Sequence, residues 1–356
     1  MSILVTGGMG FIGSNFIRYM LGHRADCEVI NLDALTYAGN LANLQDFEGN
    51  AGYRFIHGRI EDTGLVYKAM SEVEAVVHFA AESHVDRSID DAAPFITTNV
   101  LGTHVLLDAA LKAGVRRFVH VSTDEVYGAL GKEGKFTEAT PFRPRSPYSA
   151  SKAAGDLLAQ AFWETHKLPV MVVRPSNNYG PYQFPEKLIP VMVTNLVEGR
   201  KVPVYAKGEN VRDWLHVEDC CRAIEMVLDK GRPGDAYNVG GESEKRNIDV
   251  VKMVVEQMGQ GEDAIEYVSD RPGHDFRYAL DNAKIRHELG WHPVVRFEDG
   301  LRRTVDWYRE HPEWWQPLKK RLARESKGFW TEAAGIVRGS KFQVPGSKTT
   351  DDGGDR

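Results

Sequence analysis

Short apolar runs, each closed by glycine or polar residues and followed by a stretch of helical spacing, recur through the first half of the chain. Ile3-Leu4-Val5, Glu28-Val29-Ile30-Asn31-Leu32, Ala75-Val76-Val77-His78-Phe79 and Phe118-Val119-His120-Val121 are β-rich and too short for helices. Between them, residues 14–21, 99–113 and 148–166 carry apolar residues at helical intervals. This alternation predicts an α/β fold on a doubly wound parallel sheet. Residues 99–113 and 148–166 are apolar beyond one narrow stripe, which predicts helices buried on two sides.

The first run opens straight into Thr6-Gly7-Gly8-Met9-Gly10-Phe11-Ile12-Gly13 and then a helix. Strand, glycine turn and helix form the phosphate-binding start of a Rossmann-type domain. Gly7, Gly10 and Gly13 permit the tight turn, the approach of backbone to a pyrophosphate and the packing of helix on sheet, with Phe11 and Ile12 at the helix N-terminus. Glycine-rich turns also arise for structural reasons alone, so placement carries the weight. The second strand ends in Asp33, where a carboxylate accepts from the adenosine ribose and repels a 2′-phosphate, selecting NAD over NADP. Arg18 and Arg24 are near in sequence, but neither follows that strand directly. Ligands of such sheets sit outside the carboxyl ends of the strands, which puts Ala80, Ala81 and Ser83, and Thr123 to Glu125, beside the cofactor.

Asp124 and Glu125 follow a strand directly. Side chains alternate along a strand, so the two carboxylates converge only if the chain turns there. Carboxyls in unequal surroundings divide into proton donor and acceptor, the equipment for eliminating water. Alone, the pair reads as an acidic loop capping a helix. Tyr148 and Lys152, four apart, share one helix face, and an ammonium beside a phenol favours the phenolate that takes a proton from an alcohol. The order Thr123, Tyr148, Lys152 is that of the short-chain dehydrogenases and outweighs any single element.

The segments His78 to Ile89, Arg174 to Pro190, Asp270 to Asp275 and Trp307 to Lys319 resemble those of the dTDP-glucose 4,6-dehydratase family, within the extended short-chain dehydrogenase/reductases, and the resemblance spans residues 1 to about 322. It implies that Tyr148 takes the proton of the sugar 4-hydroxyl as NAD is reduced, with Thr123 holding that hydroxyl. Glu125 then removes the C5 proton, Asp124 protonates the leaving C6 hydroxyl, and hydride returns to C6. It adds Ile60, Thr98, Asn178, Tyr148 and Lys152 to the cofactor contacts. Ser83, Thr123, Asn177, Lys187 and Leu188 are placed on the substrate, Pro203 and Tyr205 around its base, and Arg212, Asn247, Arg271 and His274 around its phosphates. It also implies a homodimer joined through the helices at 99–113 and 148–166. Where the family has Asp-Ile contacting adenine, this chain has Arg59-Ile60; Arg59 cannot accept a hydrogen bond, and Asp62 is the candidate replacement.

A 4-epimerase or uronic-acid decarboxylase would share Tyr148 and Lys152 but not the Asp124-Glu125 pair. A 4,6-dehydratase for UDP-glucose stays open, as does a nucleotide sensor that kept the fold without turnover. Net charge is −6 with both signs interspersed, which supports neither nucleic acid nor an anionic membrane as partner. No apolar stretch approaches a membrane span, and a strand starting at Ile3 leaves no room for a signal peptide, so the cytoplasm is expected. Cys27, Cys220 and Cys221 lack metal-ligand spacing, so no metal is expected. Residues 1–174 plus about 211–240 are assigned to the NAD-binding domain, and about 175–210 plus 241–322 to a smaller, interleaved α/β lobe for the sugar nucleotide. Residues 323–356 form a polar extension whose tail, from about 339, is too poor in apolar residues to pack and is expected to be disordered.

Overall fold

The computed structural model describes residues 1–270 and 275–325, so Arg271, His274 and the extension past 325 lie outside the described residues. The strands are β1 (Ser2–Thr6), β2 (Glu28–Asp33), β3 (Tyr53–His57), β4 (Ala75–His78), β5 (Arg117–Val121), β6 (Val170–Pro175), β7 (Asn177–Tyr179), β8 (Val202–Tyr205), β9 (Val211–His216), β10 (Ala236–Val239), β11 (Glu244–Arg246) and β12 (Ile265–Val268). Seven of them form one parallel sheet in the order β10-β6-β5-β4-β1-β2-β3. The order reverses between β1 and β4, and a Rossmann-type sheet opens its ligand crevice at such a point.

Both faces of the sheet are covered, which is why its strands read as continuous apolar runs. Ile3, Val5, Ala75, Val77, Val119, Val121, Met171 and Val173 face a core shared with helices Phe11–His23 and Val217–Lys230. Leu4, Val76, Phe118, Val170 and Val172 point the other way, into a core with helices Thr63–Met70, Thr103–Ala113 and Pro147–His166. Thr6 lies opposite His78, and His78 opposite His120. The carboxyl ends of β1, β4 and β5 are therefore level and present one edge.

The predicted helix at 99–113 begins earlier and differently: Thr97–Gly102 is π-helical and runs into Thr103–Ala113. Asn99, in that wider turn, accepts from the Glu82 N–H at 2.9 Å and donates to the Glu82 carbonyl at 3.0 Å. This pins the loop leaving β4, and π turns gather where such local demands exist.

A second core joins helices Leu188–Val197, Asn247–Gln257, Phe297–Glu310 and Pro312–Glu325 to β8. β9 pairs with β7 and β11, and divides its side chains: Leu215 belongs to the sheet core and Trp214 to this second one. Ile285 and Trp291 return to the sheet core. Trp315, fully buried, donates its indole N–H to the Tyr308 carbonyl at 2.7 Å and holds the last described helix on this core. Trp315→Ala is expected to destabilise the protein by about 3–5 kcal/mol through the cavity it leaves, seen as a lower urea midpoint for the folding of this lobe.

Candidate active site

A cleft crosses the carboxyl edge of the sheet, lined at one end by the glycine turn and at the other by Thr123, Asp124, Glu125, Tyr148 and Lys152. Gly7 has φ +74°, and a Cβ there would meet the Ala80 nitrogen at 2.6 Å, so the turn tolerates no side chain. A Cβ on Gly13 would lie 2.4 Å from the Gly7 carbonyl oxygen, which shows how closely helix and turn approach. Gly10 differs: the nearest atom to its absent Cβ is 3.3 Å away, and the residue borders the cleft. Gly10 starts helix Phe11–His23 without a side-chain cap, leaving first-turn N–H groups toward the cleft, as a pyrophosphate requires.

Asp33, 8% exposed, ends β2 at the cleft wall. Its two oxygens accept from the Met9 N–H at 2.9 Å and the Leu35 N–H at 2.7 Å. Burial pushes its carboxyl up against the pull of those two donors. Each oxygen keeps a lone pair for a ribose hydroxyl. Arg18 is engaged by Asp46 and the Asn43 carbonyl, and Arg24 by Glu225 and Asp229. These residues fit a dinucleotide without a 2′-phosphate. Ile60, Ala80, Ala81, Ser83, Thr98 and Asn178 line the same cleft.

Asp62 does not line the cleft; it caps helix Thr63–Met70 by accepting the Leu65 N–H at 3.1 Å. Of the two neighbours it is Glu61 that lines the cleft, accepting from the Thr98 hydroxyl at 2.8 Å beside exposed Arg59. Nothing local in the sequence distinguishes Glu61 from its neighbour, so it was not among the expected residues.

The chain leaves β5 after Val121 and enters a 3-10 turn, Asp124–Tyr127, whose start is capped by the Thr123 hydroxyl accepting the Glu125 N–H at 3.2 Å. That turn brings both carboxylates to one cleft. Asp124 is 3% exposed and Glu125 half-buried. Burial, then the Glu125 and Asp213 charges, hold the Asp124 carboxyl well above the ordinary carboxylate range, outweighing Arg212 and the Thr123 hydrogen bond. Its neutral form is favoured.

Helix Pro147–His166 starts with a capping box between Ser146 and Ser149, which sets Tyr148 and Lys152 on the cleft face. Lys152, buried, donates to the Val121 carbonyl at 2.8 Å. Burial lowers its ammonium to about 8, and Asp156 one turn on acts the other way. Tyr148 departs from the sequence expectation. Burial and the Glu125 charge raise its phenol despite the Thr123 hydrogen bond, and the ammonium is aimed at a carbonyl instead.

Asn177 and Lys187 line the cleft, whereas Leu188, Pro203, Tyr205, Arg212 and Asn247 do not. Leu188 starts helix Leu188–Val197, Pro203 and Tyr205 lie in β8, and Asn247 begins helix Asn247–Gln257. Arg212, in β9, spreads over the Tyr278 ring at 4.6 Å and donates to the Asp275 carbonyl at 3.0 Å. Tyr37, Gln183 and Glu186 line the cleft without having been predicted. The last two stood inside a recognised motif with no role attached, and Tyr37 had no local signal.

The model for the family described as GDP-mannose 4,6 dehydratase matches residues 4–304. The chain is 53% identical to a dTDP-glucose 4,6-dehydratase of Streptomyces niveus over 323 residues, covering 90% of this chain and 96% of that one. A crystal structure of DesIV, a dTDP-glucose 4,6-dehydratase from Streptomyces venezuelae with NAD and TYD bound, is 53% identical, with TM-score 0.87 over 89% of this chain and 100% of that one. A UDP-glucose 4-epimerase from Thermotoga maritima, solved with UDP-glucose, is 31% identical with TM-score 0.82, covering 88% and 100% of the two chains.

Asp124 yields a pH-dependent stability test. Its folded-state pKa lies above the unfolded value of 3.8, so the stability it contributes is full below about pH 4 and is lost as pH rises. Asp124→Asn is therefore expected to raise the melting temperature over wild type at pH 7, with the difference vanishing towards pH 4.

Proposed function

The chain belongs to the dTDP-glucose 4,6-dehydratase family, and from that premise we propose that the cleft converts dTDP-glucose to dTDP-4-keto-6-deoxyglucose and water with bound NAD. The observation that carries this reading is a buried carboxyl favoured in its neutral form, Asp124, next to half-buried Glu125 and within the same cleft as Tyr148. A 4-epimerase has no use for a neutral acid beside a second carboxylate.

NAD would lie along the glycine turn with its ribose at Asp33, and it supplies the hydride acceptor and donor of the redox-neutral cycle. Tyr148 takes the proton from the sugar O4, and Thr123 holds that oxygen. A ketone at C4 acidifies the C5 proton, which Glu125 removes. Asp124 passes its proton to the C6 oxygen, and water departs. Glu125 returns its proton to C5 as C6 is reduced. Lys152 keeps its charge below about pH 8 and donates to the Val121 carbonyl at the cleft wall. Asn177, Lys187 and Ser83 border the sugar within the cleft, and the family resemblance assigns Arg212 and Asn247 to the phosphates and Pro203 and Tyr205 to the base, beyond the residues that line it.

Purified protein given dTDP-glucose, UDP-glucose or GDP-mannose separately is expected to release the 4-keto-6-deoxy product from the dTDP sugar, followed by mass spectrometry. Turnover of another sugar alone would move the base preference, and none at all would refute the reading. Asp124→Asn is expected to slow elimination about 10²-fold or more while leaving C4 oxidation closer to wild type. Glu125→Gln should likewise block C5 exchange with deuterated solvent.

We further propose a homodimer and a cytoplasmic location. Ile89, Ile96, Leu101 and Leu157, each at least half exposed, belong to helical segments packed on one another, and exposed apolar side chains on neighbouring segments suit an interface. A second copy of the chain would cover these side chains. Adjacent Cys220 and Cys221 are free buried thiols, as a reducing compartment permits. Light scattering is expected to give twice the chain mass, and Leu101→Lys combined with Leu157→Lys to give the monomer.

A further inference from the structure

The dehydratase cycle is the premise here, and each turnover of it leaves the site in the wrong protonation state. Tyr148 takes a proton from O4 and keeps it, because the product is a ketone there. Asp124 gives a proton to the departing C6 hydroxyl and ends as a carboxylate. The proton that Glu125 removes from C5 goes back to C5. One proton is thus gained at Tyr148 and one lost at Asp124, and the next cycle needs the reverse.

We infer that the Thr123 hydroxyl resets the site by relaying a proton from Tyr148 to Asp124. Thr123 and Tyr148 are each 8% exposed and Asp124 3%, so the three groups meet away from bulk water. Tyr148 and Thr123 line the same cleft, and the Thr123 hydroxyl bears on the Tyr148 phenol, lowering it against the effect of burial. Thr123 Oγ1 donates to Asp124 Oδ1 at 3.3 Å and accepts from the Glu125 N–H at 3.2 Å. A hydroxyl offers one proton and two lone pairs. The Glu125 N–H occupies one lone pair and fixes the oxygen in place. One lone pair remains for a proton arriving from Tyr148, and one proton for Asp124. Among the described residues Thr123 is the hydrogen-bond partner of the Asp124 carboxyl, and Oδ2 has none.

In the step itself, the Tyr148 O–H bond breaks as its proton bonds to Thr123 Oγ1. The Thr123 O–H bond breaks as that proton bonds to Asp124 Oδ1. Thr123 ends neutral, the negative charge passes from Asp124 to Tyr148, and no co-reactant is consumed. Holding the sugar O4 is a separate task of the same hydroxyl, so a test must separate the first turnover from later ones.

Rapid-quench kinetics with dTDP-glucose make that separation. Thr123→Val keeps the side-chain shape and lacks the hydroxyl. It is expected to form about one product per site, then continue about 10- to 100-fold more slowly, with the slow phase accelerating as imidazolium buffer is raised. Thr123→Ser is expected to turn over without a burst, and to exclude simple damage to the turn. Equal slowing of first and later turnovers in Thr123→Val would overturn the relay and leave Thr123 a positioning residue. So would a burst in Thr123→Ser, or a wild-type steady state that rises with buffer. Wild-type protein that makes no 4-keto-6-deoxy product would instead defeat the dehydratase reading beneath it.

Discussion

Withdrawal of ionisable groups from water at the carboxyl edge of the sheet governs this site. Parallel strands buried on both faces leave only their ends to carry polar chemistry, and β5 delivers Thr123 and Asp124 there. Desolvation is the largest influence on Asp124, Tyr148 and Lys152 alike. It favours the neutral carboxyl, the protonated phenol and a weakened ammonium. In the chain by itself, Tyr148 is therefore a poor base. Positive charge must enter the cleft before the phenol releases its proton readily, which ties proton transfer from the sugar to an occupied cofactor site.

The buried charges behind the cleft are balanced one against another. Asp156 follows Lys152 by one turn and receives Arg174 Nε at 2.8 Å, with His120 Nε2 at 3.4 Å. Burial alone would raise Asp156, but Arg174 and His120 bring it to about 2, so it stays charged. Arg174 also donates to the Tyr127 hydroxyl at 2.8 Å, which donates in turn to Asn238 at the same distance. This set connects the helix carrying Tyr148, strand β6 and the turn carrying Asp124. Removing one member would leave an uncompensated charge in the interior, so the set fixes the relative positions of base and acid.

What was legible in the sequence was local. Gly7, Gly10, Gly13, Asp33, Thr123 to Glu125, Tyr148 and Lys152 each sit where a strand ends or a helix begins, so spacing alone indicates where they lie. Glu61, Tyr37 and Gln183 reach the cleft only through tertiary packing, and no period or cap marks them. Asp62 misled for the opposite reason: a carboxylate three residues before a helical N–H is also a helix cap, and the cap is the role it takes. The direction of Lys152 was equally hidden. Four-residue spacing puts Tyr148 and Lys152 on one face but does not say which acceptor the ammonium meets, and that acceptor is the Val121 carbonyl at 2.8 Å.

The core of the second lobe is tied to the cofactor side of the cleft at several points, among them Arg321 donating to the carbonyl of cleft residue Tyr37. Trp314 donates to Asn43 Oδ1 at 2.9 Å, and Asn43 donates to the Met9 carbonyl in the glycine turn at 2.8 Å. Tyr308 donates to the Gln183 carbonyl, and Gln183 donates to the Asn178 carbonyl at 2.9 Å. Trp314 and Tyr308 both belong to the second core. Opening that lobe would break bonds to the glycine turn and to the cleft wall at Asn178 together. The glycine turn and the cleft wall at Asn178 are thus held by one packed body rather than by separate contacts, which suits a cleft closed to water.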